Sequence, residues 1–493
     1  MGLEKEKEKD GVVVWGFGFN GMETKILMVT ILAMGIMLIA SQNISFWEFS
    51  NGFCKNLADK FLLKESNLHN TINSIAGRSE SEEEEKEERT DKRVFRPYGN
   101  GAYLFIQMGA YRGGETTFAV IGLASKPLHV FGKPGFECEW IPRNSNLGPV
   151  KGKIHKILPD WGYGRVYTVV VLICTFAEPV GADNGGGQLI LYADNGSDFE
   201  HPERIVALTE KENVFNASVF TGPPQYDYLY CGSSLYGNLS PQRMREWMAY
   251  HAKFFGEKSH FVFHDAGGVN PEVRKVLDPW IEAGRVTLQD IRDQEQFDGY
   301  YHNQFLIVND CLHRYKFMAK WTFFFDVDEF LYVPGGSSID SVVQRFSDFT
   351  QFTIEQYPMS NRLCLELENS ENYSSEWGFE KLVFRDVKKG IRRDRKYAVQ
   401  ARNVDATGVH MSQNFHGRNE HKTNGKILYY HFHGTISRRD EPCKEFVKPS
   451  MKGEVRLVQN TPYVYDGTLK EIAASIKQFE VEQIGSRLES TVQ

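Results

Sequence analysis

Cysteine is scarce in this sequence, there is no excess of positive charge, and long apolar runs are nearly absent. Among its 493 residues, Lys and Arg number 57 against 64 Asp and Glu, for a formal net charge of −7. That balance excludes a protein that binds nucleic acid by neutralising phosphates in bulk, so we expect no nucleic-acid partner. Since only one stretch is apolar enough to cross a bilayer, a multi-span membrane protein is also excluded. The aromatic-rich remainder indicates a large globular protein of roughly three domains.

Cysteine usage excludes a structural zinc site and leaves disulfides open. The seven cysteines include no Cys-x-x-Cys pair, which is the spacing typical of such zinc sites. Six of them form an even set that could pair in an oxidising compartment, while buried free thiols are the alternative. These six are Cys138, Cys174, Cys231, Cys311, Cys364 and Cys443, with Cys54 apart.

The one long apolar run lies near the N-terminus and predicts a membrane anchor. Residues 26–47 carry no charge, and Thr30 is the only polar residue between Ile26 and Ala40. At about 1.5 Å rise per residue the run reaches across a bilayer core. We therefore predict a cytosolic tail at 1–24 and a span at 25–47. A cleaved signal peptide is the alternative, although no small-x-small pair follows the run.

The remaining chain is predicted to be a stem followed by folded regions. An acidic stem covers 48–93, where a glutamate-rich run cannot bury apolar surface. Four glycosylation sequons follow the span and favour a lumenal body. They begin at Asn195, Asn216, Asn238 and Asn372.

Residues 94–218 predict an antiparallel β-sandwich. Short runs rich in Val, Ile, Tyr and Phe alternate with turn residues there, without helical periodicity. This β-rich domain could bind carbohydrate through Trp140, Trp161 or Tyr163, while a core role for each is the alternative.

We predict an α/β domain at residues 219–450 and a C-terminal extension at 451–493. A strand at Tyr226–Gly237 precedes a helix whose N-cap is Ser240, and further strands and helices alternate after it. Such alternation indicates a mostly parallel sheet with its ligand at the carboxyl ends of the strands.

The segment that points most directly to chemistry is Trp321–Phe330, WTFFFDVDEF. Its apolar half reads as a strand buried on both faces, and burying carboxylates at its end is costly unless they are paired or bind a metal. In an extended segment Asp326 and Asp328 point to one side, an arrangement that suits Mg²⁺ or Mn²⁺. Solvated acids at a turn are the alternative.

Histidine and lysine supply further candidates. In YYHFHG, His431 and His433 share one face of a strand-like segment and could complete a metal site, with His410 as a third candidate. The basic run Lys388–Lys396 reads either as a solvated loop or as a contact for phosphate or an acidic polysaccharide.

Four motifs resemble glycosyltransferase family 92, and within it the plant β-1,4-galactan synthases. They are YCGSSLYGNLSPQRMREWMAYHAKFFG, HFVFHDAGG, YYHNQFLIVNDCLHRYKFMAKWTFFFDVDEFLYVP and YYHFHG. The resemblance implies a GT-A fold and inverting transfer of galactose from UDP-galactose to β-1,4-galactan side chains of pectin, with Mn²⁺ as cofactor. It further implies a single-pass type II Golgi membrane protein with a lumenal catalytic domain, and leaves a homodimer open.

The resemblance also implies roles for individual residues. Asp326 and Asp328 match the metal-binding Asp-x-Asp pair, and His431 matches a metal-ligating histidine. Nucleotide binding is expected at the ends of the first strands, namely at Cys231, Gly232, Ser233, Tyr236, Asp265 and Gln304.

The catalytic base is predicted from chemistry rather than from a motif. Inverting transfer needs a carboxylate that takes the acceptor proton on the face opposite the leaving group. We predict Glu376 or Glu380, because Trp377 between them could stack on a sugar. Two other functions compete: a non-catalytic, membrane-anchored glycan-binding protein that keeps a GT-A shell, and a metal-dependent hydrolase.

Overall fold

The computed structural model describes residues 92–488, except for several short segments. The exceptions are 100–102, 127–133, 145, 162–165, 195–200, 298–299, 367–374, 391–392, 439–442 and 449–452. The predicted tail, span and stem therefore lie outside the described residues, apart from 92–93. Within the part that is described, no helix is both long and apolar enough to cross a bilayer.

The β-rich region is one eight-stranded antiparallel sheet rather than a sandwich of two separate sheets. Along the sheet the strands run in the order β1-β2-β3-β6-β5-β4-β7-β8. The strands are β1 (Arg96–Tyr98), β2 (Phe105–Arg112), β3 (Thr117–Ser125), β4 (Gly135–Pro142), β5 (Val150–Ile157), β6 (Tyr167–Thr175), β7 (Gly187–Asp194) and β8 (Glu203–Glu210). The sheet curls, because β5 pairs with β4 through its first residues and with β6 through its last. Antiparallel pairing was predicted correctly, whereas curvature depends on which strands meet and has no local signal.

Aromatic packing fills the inside of the curled sheet. Phe118 stacks on Trp140 with ring centroids 5.4 Å apart, and Trp140 is 1% exposed. The core alternative therefore applies to Trp140, which is closed to a sugar. Trp161 is 61% exposed, and Tyr163 lies outside the described residues.

The α/β region follows the eight-stranded sheet, and the predicted boundary at 218–219 lies between the last strand of that sheet, which ends at Glu210, and the first strand of the α/β region, which begins at Tyr226. Its helices are α1 (Ser218–Thr221), α2 (Pro241–Phe255), α3 (Pro271–Glu282), α4 (Gln304–Arg314), α5 (Ile339–Arg345), α6 (Gly378–Lys381) and α7 (Thr468–Ile484). Its strands are β9 (Tyr226–Leu235), β10 (Ser259–Asp265), β11 (Val286–Asp290), β12 (Ala319–Phe324), β13 (Glu329–Tyr332), β14 (Gln351–Pro358), β15 (Leu363–Leu365), β16 (Phe384–Asp386), β17 (Lys396–Val399), β18 (Val404–Ala406), β19 (Asn414–Phe415), β20 (Asn419–Glu420), β21 (Leu428–His431), β22 (Glu445–Val447), β23 (Val455–Val458) and β24 (Thr461–Tyr465).

The central sheet is parallel in one half only. Strands β11, β10, β9 and β12 are parallel, as predicted. Beyond β12 the order continues β17-β14-β21-β13, and three of its four junctions are antiparallel. The prediction of a mostly parallel sheet is therefore wrong for this half, whose strands are short and far apart in sequence.

Helices cover both faces of the central sheet. Successive residues of β9 alternate between the faces, so Tyr230 packs in the core beneath α2 and α3, while Cys231 packs against α4. Ser240 caps α2 as predicted, since its hydroxyl accepts a hydrogen bond from the Arg243 N–H. The predicted C-terminal extension is no appendage, because α7 joins this core through Leu469 and Ile476.

Helix α4 lies between the central sheet and the eight-stranded sheet. Its Leu306 and Ile307 pack against β2, β3 and β6, while Val308 and Leu312 face β9 and β12. An ion pair fastens this contact: the buried Asp310 carboxylate accepts hydrogen bonds from Arg93 at 2.7 Å and from Tyr111 at 2.6 Å. The two sheets are thus joined through a shared hydrophobic core.

All six cysteines of the even set form disulfides, so the alternative of free thiols is wrong. The bonds join Cys138 to Cys174, Cys231 to Cys311 and Cys364 to Cys443. The second bond ties β9 to α4. Cys54 lies outside the described residues.

Three fully buried histidines make the stability of the fold depend on pH. Burial lowers the pKa of His251 to about 3, of His264 to about 4 and of His313 to about 3. In the unfolded chain the pKa of each of these histidines is about 6.5. Between these values the unfolded chain binds more protons, so the free energy of unfolding falls as the pH falls.

We predict that His251→Gln weakens this pH dependence. Each buried histidine contributes up to about 1.4 kcal/mol per pH unit below its unfolded pKa. The loss of unfolding free energy between pH 7 and 5, measured by denaturant titration, should therefore be smaller in the variant. The exposed His155→Gln is the control and should follow the wild type. Equal pH slopes in all three proteins would contradict the prediction.

Candidate active site

The acidic residues lie in a tight turn at the carboxyl edge of the parallel strands. Asp326 to Asp328 connect β12 to β13, and the Glu329 N–H closes the turn on the Asp326 carbonyl. The segment is therefore a turn. The sequence-based assumption of an extended segment, with Asp326 and Asp328 on one side, is wrong. The buried Trp247 indole fixes the turn by donating to the carbonyl oxygens of Asp326 and Glu329 at 3.2 and 2.9 Å.

Asp326 is held by a buried lysine and a serine. Lys396, at the start of β17, places Nζ 2.7 Å from Asp326 Oδ2, and the Ser233 hydroxyl donates to Oδ1 at 2.6 Å. Burial acts to raise the pKa of Asp326, but the Lys396 ammonium and the Ser233 hydrogen bond outweigh it and hold that pKa below its usual range. Both oxygens of Asp326 thus have protein partners.

Glu329 is a third carboxylate in the same cluster. Its side chain is buried, accepts the Asp326 N–H at 2.7 Å and lies 3.7 Å from Lys396 Nζ. Burial raises the pKa of Glu329 to about 8, despite the opposing charge of Lys396. Glu329 therefore stabilises the turn through this hydrogen bond and lies close to the Lys396 ammonium.

Asp328 faces two histidines. Because β13 pairs with β21 so that Glu329 opposes His431, the two predicted segments meet as neighbouring strands. His431 Nε2 lies 3.6 Å from Asp328 Oδ1, while Gln356 Nε2 hydrogen-bonds His431 Nδ1 at 2.6 Å and orients the ring. Burial acts to lower the pKa of His431, but the Asp328 carboxylate outweighs it and raises that pKa.

Asp328, His431 and His433 form a set that could hold a metal ion. One ligand atom from each lies within 4.8 Å of the other two, and the rings of His431 and His433 are 5.2 Å apart. One carboxylate and two imidazoles can bind a divalent transition-metal ion and would leave coordination positions for phosphate or water. The donor set is thus compatible with a divalent metal, with His433 in place of Asp326.

The predicted nucleotide residues surround the end of β9. Gln304 Nε2 donates to Ser233 Oγ at 2.5 Å, and Ser233 in turn donates to Asp326. Position 232 requires glycine, because a Cβ there would lie 2.8 Å from the Tyr230 ring. Tyr236 is 41% exposed and stacks on His302, with ring centroids 3.9 Å apart.

Two predicted nucleotide residues have other roles. Cys231 is bonded to Cys311 on α4, so its side chain is turned away from the edge and cannot contact a ligand. Asp265 uses Oδ1 to accept the N–H groups of Gly267 and Val269, which shapes the loop after β10. The side chains of Cys231 and Asp265 thus have structural roles, and nucleotide binding at these two positions stays a prediction.

The structure also argues against the predicted catalytic base. Glu376 pairs with Lys470 at 2.5 Å, and Glu380 pairs with Lys477 at 2.5 Å while accepting the Trp377 N–H. These contacts commit both carboxylates to binding α7. Trp377 is 6% exposed, so it cannot stack on a sugar, and the reason for choosing these glutamates is removed.

Lys396 is the site residue that sequence reasoning missed. It ends a run of basic residues that reads as a solvated loop, yet it is 3% exposed. The only local signal is the apolar segment Tyr397–Val399 that follows it directly. His410, the third histidine candidate, is exposed, and its Nδ1 lies 3.2 Å from the Arg395 carbonyl rather than in the ligand set.

Comparison with known families and proteins identifies this arrangement. The model of glycosyltransferase family 92 matches residues 226–465, from β9 to β24. A relative from Arabidopsis thaliana, galactan beta-1,4-galactosyltransferase GALS1, is 60% identical over 80% of this chain and 79% of its own length. The chain belongs to glycosyltransferase family 92.

Two further similarities, one to a full-length relative and one to a solved structure, differ in extent. Galactan beta-1,4-galactosyltransferase GALS3 from Arabidopsis thaliana is 48% identical over the full length of both chains, so the similarity to family 92 members includes the N-terminal region. The solved galactosyltransferase LgtC covers 36% of this chain at 12% identity and a TM-score of 0.20, which is too low to carry an argument.

Family 92 membership makes this chain an enzyme, a glycosyltransferase. The matched range contains the acidic turn, Lys396 and both histidines, while the eight-stranded sheet precedes it. The candidate site therefore lies entirely within the part of the chain that matches family 92.

We predict that Lys396→Met destabilises the metal-free protein. Without the ammonium, Asp326 and Glu329 face each other uncompensated. Since breaking a fully buried pair costs roughly 3–5 kcal/mol and the Asp326 side chain is 35% exposed, we expect a loss of about 2–3 kcal/mol. The measurement is denaturant unfolding with a chelator present.

Two variants serve as controls for that measurement. Lys396→Arg keeps the charge and should retain most of the stability. Lys388→Met removes an exposed lysine of the same basic run and should change the unfolding free energy by less than about 0.5 kcal/mol. An equal effect of Lys396→Met and Lys388→Met would show that the buried ammonium is not needed.

Proposed function

We propose that the protein transfers galactose from UDP-galactose to β-1,4-galactan, the side chain of pectin, with inversion and with Mn²⁺ as cofactor. The observation that carries the proposal is the Asp328–His431–His433 set at the carboxyl edge of the parallel strands, next to Ser233 and Gln304. Donor and acceptor are taken from relatives named galactan beta-1,4-galactosyltransferases. A GT-A fold is part of the proposal and agrees with the four parallel strands that lead to the site.

The described side chains have distinct roles in this reaction. Asp328, His431 and His433 would hold the ion, which supplies positive charge beside the diphosphate leaving group. Lys396 keeps Asp326 in place without a metal. Ser233 and Gln304 form a hydrogen-bonded pair at the end of β9, where the nucleotide is expected. Inversion requires a single in-line displacement by an acceptor hydroxyl.

The same proposal places the enzyme at the Golgi membrane, anchored by residues 25–47, with its catalytic domain in the lumen. Three disulfides suit an oxidising compartment. The sequon residues Asn216 and Asn238 are exposed, as glycan acceptors must be. Peptide-N-glycosidase treatment of the protein expressed in plant cells should increase its gel mobility, and unchanged mobility would oppose a lumenal location.

The second candidate function is glycan binding in addition to catalysis, because family membership rules out the non-catalytic alternative. The observation that favours it is in the eight-stranded sheet, where Glu137, Lys151 and Tyr192 line a cavity of about 450 Å³. Carbohydrate binding by this sheet is compatible with catalysis elsewhere in the chain.

We predict that labelled galactose is transferred to galactan only when Mn²⁺ is present. Asp328→Asn and His431→Ala should each lower kcat/KM at least about a hundredfold, because each removes a ligand of the ion that stabilises the leaving group. Transfer from several UDP-sugars, with and without chelator, is the measurement.

The control for this assay is Asp348→Asn, which neutralises an acid that is 82% exposed and outside the site. It should behave as the wild type. Galactan binding without transfer from any UDP-sugar would contradict the proposed donor and acceptor. Full activity of Asp328→Asn would remove the proposed role of the ligand set.

A further inference from the structure

A strained segment with outward-facing aromatic rings borders the acidic cluster. Tyr301, His302 and Asn303 have φ values of 51°, 52° and 57°, and none of them is glycine. For residues with a side chain this left-handed conformation costs roughly 1–2 kcal/mol each. Three such residues in succession persist only where surrounding contacts enforce them.

Two hydrogen bonds hold the segment in this conformation. The Ser234 hydroxyl, on β9, donates to the His302 carbonyl at 2.8 Å. The buried Asn303 side chain donates to Gln294 Oε1 at 2.7 Å. The second and third residues of the strained stretch are therefore fixed to the framework of the fold.

The strain keeps two large rings in solvent. Tyr300 is 45% exposed and Tyr301 is 60% exposed, with ring centroids 5.3 Å apart. Scattered exposed aromatics are ordinary on a protein surface. Tyr300 also contacts Phe305, with ring centroids 6.3 Å apart, yet both tyrosine rings keep a large exposed surface.

The segment is attached directly to the active site. His302 stacks on Tyr236, and Gln304, the first residue of α4, donates to Ser233, which holds Asp326. Burial raises the pKa of Tyr236, and the charges of Tyr301, Asp326 and Asp328 act in the same direction. The segment that carries the exposed rings is therefore joined to the edge of the sheet at which transfer is proposed.

We propose that Tyr300 and Tyr301 form the platform on which the growing end of a neutral β-linked galactose chain rests. This inference deepens the proposed function and depends on it. An uncharged polysaccharide forms no ion pairs with the protein, so hydrogen bonds and contacts with apolar rings would hold it. The hydrogen-bearing face of a galactose ring packs on aromatic rings, and phenol hydroxyls bond sugar hydroxyls at the edge.

The test is acceptor kinetics on the full-length enzyme with galacto-oligosaccharides of increasing length. Tyr300→Ala and Tyr301→Ala should each raise the acceptor KM about tenfold, the loss expected for one stacked ring. Tyr300→Phe and Tyr301→Phe keep the rings and should stay within a few-fold of the wild type. The Kd of UDP in the presence of Mn²⁺, measured by calorimetry, should not change.

Leu457→Ala is the matched control, because it removes an exposed apolar side chain from β23, in another sheet. Its acceptor KM should equal that of the wild type. An unchanged acceptor KM in both alanine variants would overturn the platform. So would weaker UDP binding with an unchanged acceptor KM, because the rings would then bind the nucleobase of the donor.

A binding measurement separates failure of the platform from failure of the proposed function. Electrophoresis through gels containing galactan should retard the wild type more than the Tyr300→Ala/Tyr301→Ala double variant. If the wild type transfers no sugar but this difference is found, the proposed function fails while the platform stands. Equal retardation of the two proteins, together with active transfer, would reject the platform alone. Melting curves of all variants report whether they fold.

Discussion

Three carboxylates within four residues, at the end of a buried strand, are the constraint on which the site depends. Asp326, Asp328 and Glu329 cannot remain charged side by side in a water-poor pocket without compensation. The protein compensates in three ways. Lys396 places a positive charge beside Asp326 and Glu329, and burial raises the pKa of Glu329 to about 8, so that this group is largely protonated at neutral pH. Asp328 faces the imidazoles of His431 and His433.

The antiparallel half of the central sheet brings the positively charged and imidazole partners to these carboxylates. Lys396 begins β17, and His431 ends β21, so both arrive from segments distant in sequence from the acids. Their strands must enter the sheet beside β12 and β13 to reach them. The parallel half has a different role, because its strand β9 delivers Ser233 to Asp326, while the bond between Cys231 and Cys311 ties that strand to α4.

Local patterns predicted those features whose cause is local. The apolar run before Asp326 indicated a buried strand, Ser240 indicated a helix start, and the even number of cysteines indicated disulfides. The meeting of the acidic segment with the histidine segment was also anticipated, because both carry chemistry that needs the other. Family resemblance correctly pointed to family 92.

Features that depend on long-range pairing could not be predicted in this way. Nothing in the basic run distinguishes Lys396 from its exposed neighbours, because burial is decided by β17 entering the sheet. Glu380 beside Trp377 looked like a sugar site, yet α7 covers both from more than eighty positions downstream. Likewise, the curl of the eight-stranded sheet follows from β5 pairing on both sides.

The proposed metal ion would add positive charge to this cluster. Its proposed ligands are Asp328, His431 and His433, while Asp326 stays paired with Lys396. The most direct measurement is anomalous diffraction from crystals of the protein grown with Mn²⁺ and UDP. The account predicts one peak at about 2.2 Å from an Asp328 oxygen and from both imidazoles, with Lys396 still bonded to Asp326. A peak that has Asp326 as a direct ligand and Lys396 displaced, or no peak at this edge of the sheet, would contradict it.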